Sequence, residues 1–150
     1  AVLASGGILR PATFLRQEAA PAGERILPQR VAQQVNAMLE EVTGPQGTAV
    51  TARVAGYRVS GKTGTVRKSI AGGYAEDKYL AVFAGMAPVS DPRLVMVVMV
   101  NEPDNGEYYG GQVAAPVFSK VMSGALRLMA VPPDDLPLPD SLQVAAGGPA

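Results

Sequence analysis

Leu94-Val95-Met96-Val97-Val98-Met99-Val100 is an unbroken apolar run, closed by Pro92 on one side and by Asn101-Glu102-Pro103 on the other. It is rich in valine and too short for a buried helix, so it reads as a β-strand. A strand apolar on both faces predicts a place at the centre of a sheet covered on both sides. The rest of the chain must then supply neighbours for that strand and helices to lie over them.

Two further strand candidates precede it, Val54–Lys68 and Tyr79–Ala87, and the short link Pro88–Pro92 makes the last two strands antiparallel neighbours. Pro28 opens a helix well, since its missing N–H is not needed in a first turn. Val31, Val35, Met38, Leu39 and Val42 follow at helical spacing, and Gly44-Pro45 ends the run. A second helix is predicted over Gln112–Ala130, with Val113, Val117, Phe118, Val121, Ala125, Leu126 and Met129 on its apolar side and Pro116 in its first turns. Gly124 in that helix predicts a close helix–sheet contact, at a cost of about 1 kcal/mol against alanine. Met96, Met99, Met122 and Met129 read as core filler. At the start, Val2–Gly7 resembles a helix end with Gly6 and Gly7 as its left-handed stop. Ile8–Leu15, interrupted by Pro11, reads as an edge strand, Ala19–Arg25 as a loop and Gln46–Thr51 as a turn. The order predicts an α+β class, an antiparallel sheet with helices packed on it. One domain is expected over residues 1–135, followed by a flexible tail over 136–150 rich in Pro, Asp and Ala-Gly-Gly.

Composition narrows the chemistry. The 150 residues contain no histidine and no cysteine, which removes a Ser-His-Asp triad, a cysteine nucleophile and any His/Cys metal centre. Thirteen basic residues balance thirteen acidic ones, so neither a nucleic-acid footprint nor a polybasic membrane patch is expected. No stretch reaches the roughly 18–20 apolar residues of a membrane helix. The chain opens on Ala1 without an initiator Met, as if within a helix, and so reads as a piece of something longer.

Acid–base and carboxylate-binding chemistry is left to Lys, Thr, Ser, Tyr and the acids. Lys62-Thr63-Gly64-Thr65 puts an ammonium, two hydroxyls and a backbone without Cβ together at the end of the Val54–Val59 run. That is equipment for holding a carboxylate and stabilising an oxyanion. The eight residues Gly56 to Thr63 also satisfy the phosphate-loop pattern G-x-x-x-x-G-K-[ST]. A phosphate loop must open into a helix, whose amides cradle the phosphates, and Gly64-Thr65-Val66 does not start one. Nucleotide binding is therefore the remote alternative, to be revived by a helix beginning at Thr63.

K-T-G alone is a weak signal, but its surroundings are specific. Gln46-Gly47-Thr48-Ala49, Ala55 to Thr65, Phe83-Ala84-Gly85-Met86-Ala87-Pro88, Tyr108-Tyr109-Gly110-Gly111 and Ala115-Pro116-Val117-Phe118 together resemble the class B penicillin-binding proteins, of the division-specific penicillin-binding protein 3 type. The resemblance covers about Ala1 to Leu136. It implies the C-terminal part of a transpeptidase domain with the serine β-lactamase-like fold. The activity implied is a D,D-transpeptidase that cross-links D-Ala-D-Ala stem peptides at the septum, is acylated by β-lactams, needs no cofactor or metal, and works with divisome proteins on the periplasmic side of the inner membrane. On these residues it implies proton relay and positive potential for Lys62, carboxylate binding for Thr63 and Thr65, and half the oxyanion hole for the Thr65 amide. Gly64 would let substrate lie close, and Tyr79, Tyr108 and Tyr109 would wall the cleft, although Tyr79 reads equally well as a packed sheet residue. Neither S-x-x-K nor S-x-N occurs in the 150 residues, so the nucleophile is expected upstream and this chain is expected to be inert alone. A non-catalytic sensor or scaffold of the same fold is the nearer alternative.

Overall fold

The computed structural model describes residues 1–104 and 106–136. Two short strands, β1 (Ile8–Leu9) and β2 (Glu24–Arg25), pair antiparallel near the start and are followed by helix α1 (Gln29–Glu40). The main sheet has the order β3 (Ser60–Ile70), β4 (Gly73–Ala87), β5 (Leu94–Asn101), antiparallel throughout, and helix α2 (Gly110–Leu128) packs across it. The expected α+β class holds.

β4 is the central strand. It puts Ala81, Phe83, Gly85 and Ala87 on the α2 side, and all four are buried. Phe83 meets Phe118 of α2 edge-on, ring centroids 4.8 Å apart at 72°. Ala114, Ala115, Phe118, Met122 and Leu126, at spacings of three and four, form the buried stripe of α2. Fully burying a side chain such as Phe118 or Leu126 contributes about 1.5–3 kcal/mol.

β5 departs from expectation. It is an edge strand of this sheet and its exposure alternates: Val95, Val97 and Met99 are 49%, 64% and 63% exposed, while Leu94, Met96 and Val98 pack on the core. Among the described residues α2 covers one face only, so the apolar character of the second face finds no cover here. The helix stripe and the methionines are corrected as well. Val117, Val121, Met129 and, in α1, Met38 are exposed, and of the four methionines read as filler only Met122 and Met96 fill the core.

Boundaries moved where local geometry outweighs apolar pattern. Residues 54–59 are not strand: Gly56 has φ +81°, Val54 bridges Tyr57, and the segment is tied instead to the chain after α2. Tyr57 Oη donates to the Val131 carbonyl at 2.6 Å and the Arg58 amide to Asp134 Oδ1 at 2.8 Å. At the other end β3 and β4 extend into a polar hairpin turned at Gly72 and Gly73, both with positive φ, with a bulge between Arg67 and Ser69. Charged arms such as Glu76-Asp77-Lys78 carry no apolar alternation, so they fall outside the expected strands Val54–Lys68 and Tyr79–Ala87. Of the expected edge strand Ile8–Leu15 only Ile8–Leu9 pairs, and its partner falls within the expected loop Ala19–Arg25. Of the expected tail, Leu136 is exposed and residues 137–150 lie outside the described residues.

Candidate active site

Lys62 to Thr65 lie on β3, whose one sheet neighbour among the described residues is β4, so among those residues one side of the strand has no ladder partner. No helix opens at Thr63; the strand runs on to Ile70, which removes the context a phosphate loop needs. Strand alternation sends Thr63 and Thr65 to the α2 side of the sheet and Lys62 to the other. The Lys62 ammonium curls back to the edge and donates to the Thr63 carbonyl at 2.9 Å. Among the described residues no carboxylate lies within ion-pair distance of it.

Two braces hold the threonines. The first amide of α2, Gly110 N–H, donates to Thr65 Oγ1 at 3.1 Å. That donor occupies a lone pair of the hydroxyl oxygen and leaves its own proton free to donate elsewhere. Thr63 Oγ1 lies 3.2 Å from Thr48 Oγ1, and Thr51 Oγ1 donates to the Gly111 carbonyl at 2.6 Å. The approach is close enough to demand glycine twice. A Cβ on Gly110 would sit 2.2 Å from the Val82 carbonyl oxygen, and one on Gly111 would sit 2.0 Å from that of Thr48. Gly64 is different, since among the described residues its Cβ would meet only Val82 Cβ, at an ordinary 3.5 Å.

Thr63, Thr65 and Tyr109 share one cleft of about 360 Å³ with Thr48 and Gln112. Lys62 opens onto a neighbouring apolar cavity of about 430 Å³ on the other face, and Tyr79 and Tyr108 border a third of about 460 Å³. The expected site residues are thus neighbours around one strand edge, without all converging on one point. A cavity of about 690 Å³ lies elsewhere, around Glu40 and Arg58. Those two side chains already satisfy each other in a two-point pair at 2.6 and 2.7 Å, which holds the Arg58 pKa above its usual value.

The tyrosines form a ladder. Tyr79 and Tyr108 stack with centroids 4.0 Å apart and planes 13° from parallel, Tyr108 leans on Tyr109 at 4.5 Å, and the Arg67 guanidinium lies 5.9 Å from the Tyr79 ring centre. Tyr79 is half-buried and reaches this ladder from the α2 side of β4.

The sequence profile described as the penicillin binding protein transpeptidase domain matches residues 1–123. The chain belongs to that family. It is of the penicillin-binding protein 3 type. It is 43% identical over 136 residues to the peptidoglycan D,D-transpeptidase FtsI of Escherichia coli strain K12, covering 91% of this chain and 23% of that protein. To the probable peptidoglycan D,D-transpeptidase PbpC of Pseudomonas aeruginosa it is 44% identical over 135 residues, covering 90% and 24%. The apo structure of the TP domain from Burkholderia pseudomallei penicillin-binding protein 3 superposes with a TM-score of 0.82 at 44% identity, covering 91% of this chain and 41% of that one. The chain therefore spans about a quarter of the length of these curated relatives.

Against this family frame, sequence reasoning missed Thr48, Gly110 and Gly111 as parts of the site. Thr48 and the Gly-Gly pair stand inside the segments that carry the resemblance, but the expected helix begins at Gln112, whereas α2 already begins at Gly110. Nothing local marks a threonine 15 residues before Thr63 as its hydrogen-bond partner.

The ladder has a titration signature. The Tyr108 hydroxyl donates to Tyr109 Oη at 3.4 Å, and that hydrogen bond, followed by charge repulsion from Tyr109, pushes the Tyr108 pKa up. A tyrosine whose folded pKa is raised contributes stability that is complete below its unfolded pKa and is lost as pH rises through the folded value. Alkaline titration should find Tyr108 ionising above the ordinary tyrosine value of about 10. Tyr109→Phe should bring it back down, and an unmoved Tyr108 titration in that variant would count against the hydrogen bond.

Proposed function

We propose that this chain supplies the K-T-G wall of the cleft of a serine-type peptidoglycan D,D-transpeptidase that acts in septal cell-wall synthesis and is acylated by β-lactams. The observation that carries the reading is the pair of threonine hydroxyls on one side of an edge strand, one of them with its oxygen engaged by the Gly110 amide and its proton free. That arrangement suits the terminal carboxylate of a D-Ala-D-Ala stem or of a β-lactam. Gly64, which the chain's own packing does not require, leaves room for the ligand backbone.

In this reading the nucleophile is the serine of an S-x-x-K segment outside these 150 residues, accompanied by S-x-N. Its oxygen attacks the carbonyl joining the two D-Ala residues, and the π electrons move onto the carbonyl oxygen. The Thr65 amide provides half of the oxyanion hole at that point, in a site where fixed donors are worth far more than in water. Collapse breaks the C–N bond and D-Ala leaves with a proton. The amine of a neighbouring stem then attacks the acyl-enzyme, loses a proton and frees the serine. Lys62 raises the positive potential and helps relay those protons, while Thr63 and Thr65 hold the carboxylate and Tyr79, Tyr108 and Tyr109 wall the cleft. The place of work is the periplasmic side of the inner membrane, with divisome membrane proteins as partners. No described helix is long and apolar enough to cross a membrane, so in this reading the anchor belongs to polypeptide outside the described residues.

Intact mass spectrometry before and after incubation with a penicillin tests the reading. A polypeptide that carries S-x-x-K together with this chain should gain one drug mass, on a peptide outside Ala1–Ala150. No gain in that polypeptide, or a gain on these residues, would overturn it.

A further inference from the structure

Glu102 holds an unusual backbone. Its φ is +50°, a left-handed conformation that a residue other than Gly, Asn or Asp seldom adopts unless its surroundings hold it there. The Glu102 carboxylate pairs with Lys68 on β3 and lies 3.8 Å from Lys78 Nζ on β4, and its amide donates to the Tyr79 carbonyl at 2.9 Å. The Lys68 hydrogen bond also holds the Glu102 carboxyl below its usual pKa. Lys78 and Tyr79 point to opposite faces of β4 by strand alternation. Six residues after Glu102, Tyr108 stacks on the Tyr79 ring, so the chain leaving β5 crosses from one face of the sheet to the other. The left-handed residue stands where that crossing begins.

We propose that Glu102 is the positioning residue of the tyrosine wall: held left-handed by Lys68 and Lys78, it sets the course of the chain so that Tyr108 lands on Tyr79. This rests on the reading of Tyr79, Tyr108 and Tyr109 as a wall of the ligand cleft. Both lysines come from other strands, so the clamp also ties β3 and β4 to the end of β5. It explains why a carboxylate stands at a position whose backbone favours glycine or asparagine.

The test compares Glu102→Gln, Glu102→Asn and Tyr108→Ala in the polypeptide that contains S-x-x-K. The readouts are the nuclear Overhauser contact between the Tyr79 and Tyr108 rings, and the acylation kinetics of benzylpenicillin split into pre-covalent affinity and limiting rate. Glutamine keeps the length but releases the lysines, so the ring contact should disappear. The pre-covalent affinity should fall by up to about tenfold, the scale of one lost aromatic contact, with the limiting rate unchanged. Asparagine takes the left-handed conformation unaided and should restore both. A Glu102→Gln protein that keeps the ring contact overturns the proposal, and so does a Glu102→Asn protein that fails to restore it. Tyr108→Ala judges the underlying wall reading separately: unchanged penicillin affinity there removes the wall, while the ring contact still decides what Glu102 does.

Discussion

Lys62→Ala, made in the polypeptide that carries the serine, should slow acylation by a penicillin by about 10²–10³-fold, the scale of removing one preorganised charge or donor from a transition state. Folding should hardly notice. Lys62 is exposed, and among the described residues its ammonium hydrogen-bonds only to the Thr63 carbonyl and hydroxyl and meets no carboxylate. Substitutions of that kind change stability by no more than about 0.5 kcal/mol, and so the thermal midpoint by a few degrees at most. The pairing of the two results matters, because a lysine kept for structure would move the midpoint and a solvated one would move neither. Lys62→Arg sharpens the point. A guanidinium keeps the charge but not the compact, rotatable donor or the ability to pass a proton, so it should restore part of the pre-covalent affinity and little of the rate. Acylation that proceeds at the parent rate in Lys62→Ala would remove Lys62 from the mechanism.

The local parts of this fold were legible and the lateral parts were not. Lys62-Thr63-Gly64-Thr65 lies within four residues, so its alternation across a strand follows from spacing alone, and the segments flanking it carried the family. The existence of β4, β5 and α2 likewise followed from runs of apolar residues. What spacing cannot give is the neighbour. Thr48 reaches Thr63 across 15 residues, Gly110 reaches Thr65 across 45, and Tyr57 reaches Val131 across 74. Each is a single hydrogen bond chosen by how the layers stack. β5 shows the same limit from the other side: its composition led to an expectation of cover on two faces, but among the described residues only the α2 face is covered.

Two glycines of α2 should respond to alanine with opposite signs, and the difference locates the joint between helix and site. Gly124 is expected to touch the sheet; its Cβ would in fact meet nothing within 4 Å among the described residues. Gly124→Ala therefore adds no clash and reduces the chain entropy lost on folding, and should stabilise the protein by about 0.5–1 kcal/mol. Gly110→Ala puts a Cβ 2.2 Å from the Val82 carbonyl oxygen and 2.6 Å from that of Gly64. Both neighbours are backbone of the central sheet, so no rotamer change relieves the contact. The end of α2 must lift from β3 and β4, at the cost of about 1–3 kcal/mol typical of overpacking. That movement also breaks the bond from the Gly110 amide to Thr65 Oγ1, so the Thr65 hydroxyl is no longer held with its proton outward. Thermal unfolding should show the loss, and penicillin affinity in the serine-bearing polypeptide should fall with it. A Gly110→Ala protein as stable as its parent would mean that α2 does not rest on the K-T-G strand, and the brace on Thr65 would go with it.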